Sequence, residues 1–296
     1  MQRLLRKFET AKDLVPRPLQ ANASKPTKYG VIYYGSTAPA MDEAIGMIEA
    51  AGHSVDRLQT TVFVMLDLDI GMNEWLTQPF AWDDTRRLDR GKVMTYEELE
   101  EGRDFGRYLD VDGDGIPYRT YPGVHPTRGG YFTRGTSRNP YARYSEEGGV
   151  YVDNMQRLLR KFETAKTLVP APLRHDARRA TRDGVIYYGS TAPSLKEALE
   201  GLEGQGLHLD ALRLRAFPFS KAVFDFIADH DRVFVVEQNR DGQIRGMLVN
   251  EGGVDPAKLI PVLHFDGTPI TARFIAGAIG EHLREAGDAR VTEAAE

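Results

Sequence analysis

DGVIYYGSTAP, residues 183–193, is a run of strand-forming side chains that ends on Gly-Ser-Thr and passes into a proline-marked helical start. Val185, Ile186 and Tyr187 suit a pleated, buried strand, and Pro193 suits the first turn of a helix, where a missing N–H costs nothing. Ser190 and Thr191 then become N-cap candidates. The same strand–turn–helix junction can hold a phosphate on free backbone N–H groups, although the glycine spacing of a phosphate loop is missing here.

Downstream the pattern repeats in kind. A strand is expected at Leu212–Phe217, a helix at Ser220–Asp229, a strand at Arg232–Glu237, then a loop and turn, a strand at Leu259–His264 and a helix at Thr271–Arg284. In that last helix Ile275, Ala278, Ile279 and Leu283 form one apolar stripe. Strands alternating with helices at this spacing predict an α/β domain with a mostly parallel sheet over residues 182–286. Glu237 and Asn239 fall where a parallel strand delivers its C-terminal end, the usual ligand edge of such sheets. Structural hydrogen bonding to the following turn is the alternative role.

Upstream the same text is written twice. MQRLLRKFETAK stands at 1–12 and again at 155–166, AKDLVPRPL faces AKTLVPAPL, and YGVIYYGSTAP at 29–39 faces the opening stretch. An internal duplication is therefore expected, with Ser36 and Thr37 as the counterparts of Ser190 and Thr191. In the later copy Tyr151, Met155, Leu158, Leu159 and Phe162 share one helical face, which predicts an amphipathic helix packed on its own domain or, as the rarer use of such a basic helix, on a membrane or partner. Between the copies, VFVMLDLDI at 62–70 reads as a buried strand and TYEE at 95–98 as a capping box.

Composition narrows the function classes. The 296-residue chain has 41% hydrophobic residues and a net charge of −5, which fits a folded core and gives no overall preference for nucleic acid or an anionic membrane. No apolar run approaches the roughly 20 residues of a membrane span, and the first segment does not read as a signal peptide, so a cytoplasmic protein is expected. With no cysteine, the chain has no disulfide, thiolate nucleophile or ordinary iron–sulfur ligand.

Three further features could carry chemistry. DVDGDG at 110–115 supplies Asp110, Asp112 and Asp114 in the first half of a calcium-loop pattern, but Tyr121 stands where a bidentate Glu is needed; an acidic turn paired with arginines is the alternative. In the Gly-, Pro-, Arg- and Tyr-rich stretch that follows, Arg128, Arg134, Arg138 and Arg143 interleave with Tyr131, Tyr141 and Tyr144. Such a surface suits an anionic ligand or an ion-paired neighbouring subunit. The histidines form no metal or triad pattern.

Taken in order, DLDIGMNEW, GRDFGRYLDVDGDGIPYRTYPG, HPTRGGYFTRGTSRNPYARYSE, YVDNMQRLLRKFETAK, GVIYYGSTAPS, AFPFSKAVFDFIADHDRVFVVEQNRDGQ and LIPVLHFDGTPITARFIAGAIG resemble the α subunit of 2-oxoacid:ferredoxin oxidoreductases, most of all the 2-oxoglutarate type. The resemblance implies a truncated copy of the C-terminal domain start at 1–60, the tail of a thiamine-pyrimidine-binding domain with long loops at 61–154, a transketolase-C-like domain at 155–286, and a frayed tail at 287–296. It places the glutamate that activates thiamine diphosphate, and the threonine that contacts the 2-oxoacid, in a region without counterpart here. No catalytic or cofactor-binding residue is thus expected in this chain alone. Thiamine diphosphate, Mg²⁺ and iron–sulfur clusters are expected in the complete complex, with a β subunit as partner and ferredoxin as electron acceptor. The chain would act only within that complex; the other reading is a non-catalytic relic or assembly module that binds a partner subunit.

Overall fold

The computed structural model describes residues 55–72, 85 and 89–293. The first copy of the repeat up to residue 54, including Ser36 and Thr37, lies outside the described residues. The described elements are helices α1 Leu68–Gly71, α2 Tyr96–Glu100 and α3 Gly148–Ala165, then strand β1 Leu173–His175, β2 Asp183–Tyr187, α4 Thr191–Glu203, β3 Asp210–Arg213, α5 Lys221–Asp229, β4 Arg232–Glu237, α6 Gln243–Gly252, β5 Leu259–Leu263 and α7 Ala272–Glu293.

The five strands form one sheet in the order β1-β3-β2-β4-β5. β2 pairs in parallel with both β3 and β4, and β4 with β5; β1 alone is antiparallel. Successive side chains on a strand point to opposite faces, so a strand covered on both sides must be apolar throughout. The central strands satisfy this. Val185, Tyr187, Phe234 and Val236 pack with Leu195 and Leu202 of α4 and Ile275 and Ile279 of α7. On the other face Ile186, Val233 and Val235 pack with Val223, Phe226 and Ile227 of α5 and Leu248 of α6. Burying each such side chain contributes roughly 1.5–3 kcal/mol, and these two layers hold most of the core.

Four expectations change. The strand expected at Leu212–Phe217 is Asp210–Arg213, because its register is set by β2 from Gly184 to Tyr187. The loop and turn expected after Glu237 contain α6, which starts after left-handed Gly242 and ends before left-handed Gly253. The last helix runs on to Glu293, past its expected end at Arg284. VFVMLDLDI is no buried strand: 61–67 has no regular structure, α1 follows, and Phe63 and Met65 are each 80% exposed. No strand among the described residues pairs with it, and an unpaired segment cannot bury its backbone polar groups.

Helix α3 is continuous across the expected boundary at residue 155 and packs through an unexpected face. Its buried residues are Arg157, Lys161 and Ala165. Arg157 donates to Gly115 O at 2.9 Å, Thr164 to Asp114 O at 2.7 Å and Lys161 to Gln59 O at 3.2 Å, so backbone carbonyls of loops hold the polar side of the helix. The face carrying Tyr151, Met155, Leu159 and Phe162 is exposed.

Candidate functional site

The strand order reverses direction between β2 and β4: the chain leaves β2 for β3 on one side, returns to β4 on the other, and continues to β5. At such a point the loops after the two strands part in opposite directions and open a crevice beyond their C-terminal ends. Tyr188 to Thr191 line it from β2, and Glu237 to Asn239 line it from β4. Here Ser190, Thr191, Glu237 and Asn239 come together.

Their roles differ from simple capping. Ser190 occupies the N-cap position of α4 but has helical backbone angles and makes no side-chain cap bond. Its amide instead donates to Asp67 Oδ2 at 2.8 Å, which places a carboxylate at the positive end of the helix. The Ser190 and Thr191 hydroxyls accept hydrogen bonds from Gln238 Nε2 at 3.1 and 3.2 Å, and Gln238 Oε1 accepts the Ile270 amide at 3.3 Å. One amide side chain thereby ties β2, β4 and the approach to α7 together.

Glu237 is fully buried. Its Oε2 accepts the Ile244 amide and its Oε1 the Arg245 amide, both at 2.9 Å, so the carboxylate caps α6 from several residues upstream. Asn239 Nδ2 donates to the same Oε2 at 2.8 Å, and the Asn239 Oδ1 accepts amides of the following turn at 3.1 and 3.3 Å. Tyr188 completes the group, its hydroxyl 3.4 Å from Glu237 Oε2. Burial and then the Glu237 charge push the Tyr188 phenol up to about 12.

The acidic and basic stretches lie elsewhere. In DVDGDG, Lys92 Nζ contacts Asp112 Oδ2 at 2.7 Å and Asp114 Oδ1 at 2.8 Å, while Arg160 pairs with Asp110 Oδ2 at 3.0 Å. A lysine, not anticipated from the sequence, joins the arginine in neutralising the turn. No group of three or more possible metal-ligating side chains occurs among the described residues. Arg134 stacks 5.7 Å from the Tyr144 ring and Arg138 5.2 Å from that of Tyr108, with Arg138 also donating to Gly135 O at 2.6 Å. These cations stabilise their own loop by contact with aromatic faces.

Sequence reading did not anticipate Gln238, Tyr188 or Asp67. Gln238 lies between two residues singled out in VVEQN, and its position at the strand end was the available signal. Asp67 carries none, since its partner is 123 residues away.

No helix among the described residues is long and apolar enough to cross a membrane. No family model matches the sequence, and no curated protein matches it. Among solved structures, the chain is similar to 2-oxoglutarate:ferredoxin oxidoreductase from Magnetococcus marinus with 2-oxoglutarate, coenzyme A and succinyl-CoA bound, at 21% identity and a TM-score of 0.57, covering 69% of this chain and 34% of that one. This chain thus spans about a third of that chain's length. A split-gene transketolase, an inactive β4 tetramer, matches with 14% identity and a TM-score of 0.31 over 37% of this chain and 41% of its own. The α chain of a probable 2-oxoacid ferredoxin oxidoreductase from Thermoplasma acidophilum matches with 22% identity and a TM-score of 0.27 over 38% of this chain and 97% of its own. The first establishes a shared α/β fold built on a mostly parallel sheet.

Proposed function

We propose that this chain is part of the α subunit of a 2-oxoacid:ferredoxin oxidoreductase of the 2-oxoglutarate type. Such a complex decarboxylates a 2-oxoacid, transfers the acyl group to coenzyme A and passes two electrons to ferredoxin. The observation that carries the reading is the shared fold with the Magnetococcus marinus enzyme over 69% of this chain, joined to the ordered sequence blocks.

Thiamine diphosphate does not fit the crevice at the strand ends. A pyrimidine-activating carboxylate needs a free oxygen, whereas Glu237 gives one oxygen to Arg245 and the other to Ile244 and Asn239. With no cysteine, these 296 residues offer no thiolate ligand for a cluster. The cofactors, Mg²⁺ included, therefore belong to a β-type partner and to the remainder of an α subunit, and this chain contributes a scaffold in a cytoplasmic complex.

The same saturated hydrogen bonding favours a second reading, a non-catalytic module that binds a partner subunit. Co-expression with a cysteine-rich β-type subunit separates them. Co-purification together with 2-oxoglutarate- and CoA-dependent viologen reduction under anaerobic conditions supports the enzymatic reading. Co-purification without turnover leaves the assembly module, and failure to co-purify overturns both.

A further inference from the structure

Three arginines surround one tyrosine ring in the loops that receive α3. The guanidinium carbons of Arg107, Arg138 and Arg157 lie 5.6, 5.2 and 5.6 Å from the centre of the Tyr108 ring. Lys161 follows Arg157 one helical turn later. None of these four cations has an acidic partner among the described residues. Asp110, the carboxylate felt at Arg157, is already engaged: its Oδ2 accepts Arg160 Nε and its Oδ1 the Gly115 amide, each at 3.0 Å. Arg157 and Lys161 are also buried, and a charge taken out of water without a counter-charge is strongly destabilising.

The donors are as little used as the charges. Arg157 gives one N–H to Gly115 O, and Arg138 gives two, to the Tyr108 hydroxyl at 3.4 Å and to Gly135 O at 2.6 Å. Arg107 hydrogen-bonds to nothing among the described residues. The Nε atoms of Arg138 and Arg157 are buried without an acceptor, and Arg157 as a whole is only 8% exposed. Buried polar groups of native proteins are as a rule paired. A water would satisfy an N–H but leave the charge.

We propose that this cluster binds a phosphate dianion, with Arg107 and Arg138 gripping its oxygens and Arg157 and Lys161 supplying positive charge behind them. Planar guanidinium forks match phosphate oxygens two at a time, and a dianion offsets a group of this size better than a single carboxylate does. Arg107 and Arg138 are half-buried, which gives the ion access from solvent. An acidic surface of another chain would instead meet Arg134 and Arg143, which are exposed, and leave the buried charge uncompensated.

Calorimetric titration of the full chain with sodium phosphate, at fixed ionic strength in a phosphate-free buffer, tests this. The parent should bind saturably. Arg107→Gln costs the folded chain no hydrogen bond among the described residues and should weaken binding by about tenfold or more, the worth of one charge-assisted bond. Arg138→Gln should do the same and Arg143→Gln should not. Glycerol 3-phosphate separates the sources: tighter binding than phosphate assigns an esterified phosphoryl group, weaker binding the free ion. A second readout is independent of affinity. Burial, then the Arg157 and Arg107 charges, lowers the Lys161 pKa to about 8, and an anion beside it should raise that value. The stability gained as pH rises above about 8 should therefore shrink in saturating phosphate. No saturable binding, binding untouched by Arg107→Gln, or an unchanged pH profile at saturation overturns the proposal. So does tighter binding of polyglutamate that is lost in Arg143→Gln, which marks an acidic chain as the occupant.

Discussion

Asp67 and Ser190 are 123 residues apart in sequence, yet the Asp67 carboxylate accepts the Ser190 amide at 2.8 Å. The contact seats a negative charge at the N-terminus of α4 and ties the irregular segment at 61–67 to the sheet edge. Asp67→Ala should cost about 1 kcal/mol, the usual worth of an anion at a helix N-terminus, and Asp67→Asn less. Urea unfolding at low and high salt checks this. The difference between parent and Asp67→Ala should shrink as salt screens the charge.

Glu237 and Tyr188 form a buried pair that reports through the phenol. Glu237→Gln places an amide N–H₂ among groups that donate, the Ile244 and Arg245 amides, and should cost about 2–3 kcal/mol. Removing the charge should also lower the Tyr188 pKa from about 12. In the parent, the raised folded value means stability is fully present below the unfolded phenol pKa and is lost as pH rises toward 12. Ultraviolet difference titration of Tyr188→Phe, Glu237→Gln and parent chains isolates that phenol; an unshifted titration in Glu237→Gln would separate the two residues.

Lys161 is expected to impose the opposite slope at lower pH. Burial, followed by the nearby Arg157 and Arg107 charges, lowers its pKa to about 8 from 10.5. Between those values the unfolded chain holds a proton that the folded chain has released, so stability should rise with pH from about 8 upward. Its contribution is lost as pH falls through 8. The unfolded phenol begins to ionise near pH 10, so the rise is read below that pH. Lys161→Met should flatten the rise, which urea titrations at pH 7.5 and pH 9.5 would reveal.

The sheet was legible because its central strands are buried on both faces and read as unbroken apolar runs, GVIY at 184–187 and VFVVE at 233–237. The elements that were not legible depend on distant partners. α6 has only Leu248 fully inside and is started by Glu237, which its own sequence does not contain. β1 has three exposed residues and joins the sheet only through the antiparallel register with Ala211 to Arg213. The residues 62–70 have strand composition but pair with no strand among the described residues, so composition misled. In the candidate site, Glu237 and Asn239 were singled out by strand-end logic, and Ser190 and Thr191 by the strand–turn–helix junction. Asp67 and the Gln238 bridge required the crevice itself. In α3 the apolar face was recognised, but which face packs was decided by the carbonyls of Gly115 and Asp114.

The turn that receives α3 supplies the sharpest test of that packing. Gly113 and Gly115 both adopt left-handed backbone, at φ +75° and +78°, so alanine at either carries a similar conformational cost of about 1 kcal/mol. Their surroundings differ. A Cβ at Gly113 meets nothing within 4 Å, whereas one at Gly115 would stand 2.2 Å from Lys161 N and 2.6 Å from Arg157 O. Those atoms are helix backbone and cannot rotate away, so Gly115→Ala must push the turn off α3. That movement breaks the Arg157 bond to Gly115 O and the Thr164 bond to Asp114 O together. Gly115→Ala should therefore destabilise by about 3 kcal/mol or more and Gly113→Ala by about 1, since each buried hydrogen bond lost adds roughly 1 kcal/mol. Parallel urea melts of the two variants read the difference directly, and equal losses would show that α3 does not depend on this turn.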